Sequence, residues 1–158
     1  MKGIHTSEFK NRDKITSFFI EHWGSPKMIV STGMYECDQL PGFVVLNEEK
    51  EIIGAITYFM HNDYCEIVSL DSLVEKKGIG SMLLDKVEQV AKGQVKKIKL
   101  ITTNDNIDAL AFYQKRGFRI TKVFPNAVDN ARKIKQEIPL LAQNGIPIRD
   151  EILLEKSL

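Results

Sequence analysis

Apolar positions along the chain follow two spacings, and each spacing predicts its own kind of element. Ile15, Phe18, Phe19 and His22 fall at i, i+3, i+4 and i+7, which predicts a helix ending near Gly24. The stretches MIVSTGMYE and GFVVLN read as strands, with Pro41 and Gly42 as punctuation between them. EEKEIIGAITYFMHNDYCEIVSL reads as long antiparallel strands that turn at Asn47–Lys50 and again at His61–Asp63. Leu83, Val87, Val90 and Ala91 share one helical face, and Gly93 closes that helix. KKIKLITT is then a buried strand. NDNIDALAFYQKRG is a helix capped by Asn104 or Asp105 and ended by Gly117. FRITKVF is a further strand, a short helix starts at Pro125–Asn126, and RDEILLEK is the last strand. No repeat or linker interrupts this order. It predicts an α/β fold, a mixed sheet in one domain spanning 1–158.

Composition narrows the class. The 158 residues are 43% hydrophobic and 27% charged, as in an ordinary globular protein. With 22 basic and 21 acidic side chains the net charge is +1, which gives no field for nucleic acid. The longest apolar run, Ile52–Met60, is too short for a bilayer, and the polar N-terminus lacks a signal-peptide core. Cys37 and Cys65 have no metal-type spacing and are expected as reduced thiols in a cytoplasmic protein. No metal is expected. The expectation is a small enzyme or ligand-binding domain.

The stretch EKKGIGSMLLDKVEQVAKG carries candidate chemistry. Gly78 and Gly80 lack Cβ atoms, so the backbone there tolerates φ > 0 and a close ligand. The amides of Ile79, Gly80, Ser81 and Met82 would open the following helix as unpaired N–H groups at its positive end, a seat for pyrophosphate. Lys76 and Lys77 add countercharge. A Walker loop is absent, and Leu83 stands where a Rossmann loop needs its third glycine.

A second stretch, TTNDNIDALAFYQKRGFRI, places Asn106, Ala109 and Tyr113 at i, i+3 and i+7 on one helix face. Asn106 and Tyr113 are about 10 Å apart along the axis, the length scale of a pantetheine arm. Together the stretches resemble the GCN5-related N-acetyltransferase (GNAT) superfamily, whose motifs are Q/R-x-x-G-x-G/A and a later N-x-x-A-x-x-x-Y followed by a G-F pair. Here these are Gly78-Ile79-Gly80, then Asn106, Ala109, Tyr113 and Gly117-Phe118, within residues 64–120. Glu75 departs from the family's Gln/Arg position. The acceptor of this bacterial-type subgroup stays open.

The resemblance implies the GNAT fold: a mixed, mostly antiparallel central sheet with helices on both faces. It implies transfer of an acetyl group from acetyl-CoA, as cosubstrate, to a primary amine of a small molecule or peptide by direct attack. An inactive acyl-CoA-binding sensor is the alternative. By resemblance Tyr113 protonates the departing thiolate, Asn106 holds pantetheine unless it only caps its helix, and Leu70 through Leu73 offer backbone groups to the arm and thioester. Glu66, in the strand YCEIVSL, matches a family base, with His22 and Asp71 in reserve. Cys65 faces the side opposite Glu66 and is expected as core. Trp23 and Tyr35 are candidate walls for the acceptor, and Glu36 or Asp38 candidate partners for its charge. Arg149, Asp150 and Glu151 are expected to pair with one another. A homodimer is an open option, because pairing of late strands between subunits is common in the family.

Overall fold

The computed structural model describes residues 5–8, 12–30, 33–74 and 78–158. Its elements are β1 (His5–Glu8), α1 (Arg12–Trp23), β2 (Lys27–Val30), β3 (Gly33–Glu36), a 3₁₀ turn (Cys37–Gln39), β4 (Gly42–Leu46), β5 (Ile52–Met60), β6 (Tyr64–Ser72), α2 (Ile79–Ala91), β7 (Lys97–Thr103), α3 (Ile107–Lys115), β8 (Arg119–Phe124), α4 (Ala127–Arg132) and β9 (Glu151–Ser157). The chain forms two compact units, divided at Ile98/Lys99, with residues 29–34 counted in the second. No helix among the described residues is long and apolar enough to cross a membrane. The fold is the expected mixed α/β arrangement, a mostly antiparallel sheet with helices.

In the first unit the strand order is β1-β4-β5-β6. Each of those pairings is antiparallel. β1 escapes the sequence reading because HTSE has no apolar alternation; it is a four-residue edge paired through its backbone. MIVSTGMYE, read as one strand, forms two short strands that pair in their own two-stranded sheet. The stripe on α1 buries Ile15, Phe18 and Phe19 against Leu40, Val44, Ala55 and Val68. Its fourth member is Trp23 rather than His22. Phe19 and Trp23 pack at 4.8 Å, while His22 is exposed with its ring against Phe18. Two anchors tie α1 down. Arg12 donates to the carbonyls of Asp38 and Leu40, and Thr16 donates to Asp38 Oδ2 at 2.6 Å. Asp38 is therefore buried and bonded within the fold, not a surface charge awaiting a ligand.

The β5–β6 ladder shifts register between Thr57↔Ser69 and Tyr58↔Ile67, which leaves Val68 as a bulge. On the opposite face α2 buries Ile79, Leu83, Leu84, Val87 and Ala91, each large aliphatic contributing about 1.5–3 kcal/mol. Gly54 of β5 lets its first turn come close. A Cβ there would lie 2.5 Å from Ile79 Cγ2, 3.1 Å from Asp71 O and 3.3 Å from Leu83 Cδ1. Gly93, at φ 89°, ends the helix as expected.

In the second unit the order is β7-β9-β8, with β8 and β9 antiparallel from Arg119↔Glu155 to Phe124↔Glu151. The helix α3 is capped by Asn106, not by Asn104 or Asp105. Asn104 instead accepts from the amides of Arg149 and Asp150 and donates to Pro147 O. Asp150 accepts from the Asn126 amide at 2.8 Å. Arg132 donates to the carbonyls of Ile138, Pro139 and Ile148 and to Asp129, holding a segment that has no regular structure.

One further anchor joins α1 to β6: Trp23 Nε1 donates to Asp71 Oδ1 at 3.0 Å, while Asp71 Oδ2 is buried with no hydrogen-bond partner among the described residues. Burial, opposed by the Trp23 hydrogen bond and the His22 charge, pushes the Asp71 carboxyl up to about 6 from 3.8. Because the folded value is raised, the folded chain holds this proton more tightly than the unfolded chain. Stability from this group is present below the unfolded value and is lost as pH rises through about 6. Asp71→Asn, which keeps an acceptor for Trp23, should raise thermal stability at pH 7.5 by about 1–2 kcal/mol and give no gain near pH 4. Melting temperatures across that range measure this, and a gain independent of pH would contradict it. Gly54→Ala should cost about 1–3 kcal/mol by overpacking. In a double-mutant cycle with Ile79→Ala the two losses should fall short of additivity, whereas additive losses would show that Gly54 and Ile79 do not meet.

Candidate functional site

The first unit builds an amide-lined helix start. Gly78 caps α2 in the left-handed region, φ 71° and ψ 15°, without a side-chain cap. A Cβ at Gly78 would meet nothing within 4 Å, so glycine is needed there for the dihedral and not for space. The Met82 amide donates to Gly78 O at 3.0 Å. Of the four amides expected to open the helix, that one is spent within it. Ile79, Gly80 and Ser81 supply the N–H groups of the first turn, at the positive end of a 13-residue helix. Lys76 and Lys77, with Glu75, lie outside the described residues.

β6 leads to this loop and carries polar groups on the face that also bears Ala55 and Val68. Ser69 and Thr57 share a buried hydrogen bond of 2.6 Å across the bulge. Glu66 is 2% exposed. Its Oε1 accepts from Tyr35 Oη at 2.9 Å and lies 3.0 Å from His61 Nε2. The His61 ring stacks on Tyr64 at 4.3 Å and meets Phe59 edge-on at 4.7 Å. Tyr35, expected as an acceptor wall, is thus a ligand of the carboxylate, and Glu36 beside it is exposed. Cys65 is fully buried on the other face, and burial pushes its thiol up to about 12, so it stays neutral core. Leu73 donates its amide to Ile53 O at 2.8 Å, which occupies a group expected to serve the cosubstrate. Leu70 pairs with Ile56 in the ladder and is half-buried.

The second unit holds the tyrosine. Tyr113 is 7% exposed, and its ring is fixed edge-on between Phe112 at 5.2 Å and Phe118 at 5.5 Å. Gly117, at φ 95°, turns the chain so that the Phe118 amide returns to Tyr113 O at 3.1 Å. Asn106 precedes the helix rather than sharing its face. Its Oδ1 accepts from Ala109 N at 3.3 Å, and its Nδ2 donates to Thr102 Oγ1. The side chain expected to hold a ligand is engaged as a cap here.

By sequence His61 is a turn residue; the structure makes it a neighbour of Glu66. The signal was parity. Phe59 pairs with Glu66 across the hairpin, and His61, two residues beyond Phe59, returns to the same face. Gly54 was also legible as a glycine inside a strand, a mark of close backbone approach.

Comparison with known proteins places this geometry in a family. The model of the acetyltransferase (GNAT) family matches residues 9–118. The chain is 58% identical over 148 residues to the uncharacterized protein YxbD of Bacillus subtilis (strain 168), covering 93% of each. Among solved structures it resembles a GNAT family acetyltransferase from Elizabethkingia anophelis with acetyl-CoA bound, at TM-score 0.71 and 23% identity over 100% of both chains. It also resembles the IAA acetyltransferase from Bacillus cereus ATCC 14579, at TM-score 0.75 and 23% identity over 98% of this chain and 99% of that one. The chain belongs to the GNAT family of acetyltransferases.

Proposed function

We propose that this protein transfers the acetyl group of acetyl-CoA to a primary amine by direct attack. The observation that carries the amine assignment is the buried Glu66 carboxylate with His61 and Tyr35 on its Oε1. An alkylammonium ion near pKa 10 must lose a proton before its nitrogen can attack, so an amine acetyltransferase needs a basic centre. The cluster of Glu66 with His61 and Tyr35 supplies that centre. An acyl-CoA-binding sensor has no use for one.

The residues present fit the cosubstrate. The left-handed Gly78 cap and the amides of Ile79, Gly80 and Ser81 suit a diphosphate, since a helix start offers N–H groups and positive potential together. Lys76 and Lys77 add charge in the sequence before it. When bound, acetyl-CoA supplies the thioester. Backbone groups of β6 at Leu70 orient it, and Ala109, a small residue on α3, leaves room for the arm. Tyr113 donates a proton to the departing sulfur. Its ring is held by two aromatic edges, so the hydroxyl is positioned before the reaction.

Acetyl transfer itself is tested by CoA release across a panel of aliphatic and aromatic amines, amino acids, polyamines and a short peptide. Release with no panel amine above the hydrolytic background would count for the sensor. Gly80→Glu should weaken CoA binding at least tenfold by calorimetry while the fold is retained, because it sets a carboxylate against the diphosphate. Undiminished affinity would remove the loop from the site. Tyr113→Phe should lower kcat by about a hundredfold at unchanged CoA affinity, and full activity would dismiss the phenol as proton donor.

A further inference from the structure

The hairpin between β5 and β6 gives Glu66 a partner that reaches further out than the carboxylate itself. The Glu66 side chain is 3% exposed and that of His61 is 26% exposed. We propose that His61 is the group that takes the ammonium proton, on Nδ1, and that Glu66 is a positioning residue holding the ring as its Nε2–H form. The proposal rests on the amine-acetylation reading above and assigns the proton to a different atom of the same site.

The argument starts from the carboxylate. An ionised carboxylate only accepts hydrogen bonds, and the Tyr35 phenol already donates to Oε1. The 3.0 Å contact from His61 Nε2 to that oxygen is a hydrogen bond only if Nε2 carries the proton. The lone pair of the neutral ring then sits on Nδ1. Tyr64, stacked at 4.3 Å and 18°, and Phe59, edge-on at 4.7 Å and 63°, fix the plane of the ring. A carboxylate that fixes tautomer and orientation turns an ordinary imidazole into a directed base.

The proton ledger closes. The ammonium N–H bond breaks and an Nδ1–H bond forms, leaving a neutral amine and an imidazolium paired with Glu66. The amine lone pair forms the new C–N bond, the thioester C–S bond breaks, and the sulfur takes a proton from Tyr113. The surplus proton on the acetylated nitrogen and that on Nδ1 go to water, and one returns from water to Tyr113. His61 ends in its starting form without any redox partner. Among the described residues, the titratable groups at His61 include Glu66 itself, Tyr35 on the carboxylate and Tyr64 on the ring, with Cys65 on the opposite face and Asp63 exposed in the turn.

Two measurements on the full chain decide the proposal. Long-range proton–nitrogen NMR of 15N-histidine-labelled protein at pH 8 should show His61 as the Nε2–H tautomer, and Glu66→Ala should return it to a mixture. An Nδ1–H form in the unsubstituted protein would overturn the assignment, and this readout needs no acceptor. With spermidine and with phenethylamine as acceptor probes, His61→Gln should lower kcat/KM at least a hundredfold and remove the acidic limb of its pH profile, at unchanged CoA affinity. Glu66→Gln should keep that limb and cost about tenfold. Should His61→Gln retain both rate and limb while Glu66→Gln loses them, Glu66 would be the base and the proposal would fall. Absence of turnover by the unsubstituted protein on either amine, with the Nε2–H tautomer in place, would count against amine acetylation and not against the tautomer.

Discussion

The first turn of α2 rests on a strand position that has no side chain, and that contact places the helix-start amides of the first unit. With Ile79 Cγ2 only 2.5 Å from where a Gly54 Cβ would stand, the helix start sits as deep on β5 as the backbone allows. That depth sets the height of the Ile79, Gly80 and Ser81 amides. The left-handed Gly78 then bends the chain into the helix without adding bulk above it. Two glycines thus act through different physics. One removes a steric obstacle beneath the turn, and the other permits a dihedral that side chains disfavour.

The opposite face of the same strands is costly ground. Thr57, Ser69 and Glu66 are all buried there, and a buried polar group without a partner costs several kcal/mol. The fold answers with pairs: Thr57 with Ser69, Glu66 with Tyr35 and His61, and Asp71 with Trp23. Among the described residues, the Trp23 pair leaves a buried oxygen of Asp71 unmatched, and Asp71 is the carboxyl whose acidity burial weakens. The Val68 bulge gives Ser69 the same facing as Glu66, so the polar groups form a row where strict alternation would have divided them.

Much of this was legible from the chain alone. The 3.6 period marked α1 and α2, because each buries one clear face, whereas turn residues marked the long hairpin and Gly117 marked the end of α3. The edge strand β1 and the split of β2 from β3 were not legible: four-residue strands held by backbone pairing leave little side-chain pattern. Gly78, Tyr113 and Glu66 stood out because their chemistry is local. The His61–Glu66 contact depends on the hairpin's facing, and Trp23–Asp71 bridges 48 residues, a separation no local pattern encodes. Asn106 was ambiguous for a physical reason, since an amide side chain at a helix start serves a backbone N–H as readily as a ligand.

The Arg132 guanidinium has a consequence of a different kind. Its bonds to the irregular segment end on the main-chain carbonyls of Ile138, Pro139 and Ile148, atoms that every amino acid possesses. Side chains there, including the exposed Leu140 and Leu141, are therefore free to be exchanged without loosening the clasp. Insertion or deletion of even one residue would misalign the carbonyls. The loop is thus permissive in spelling and strict in length, a surface on which new specificities can be written while the frame holds still.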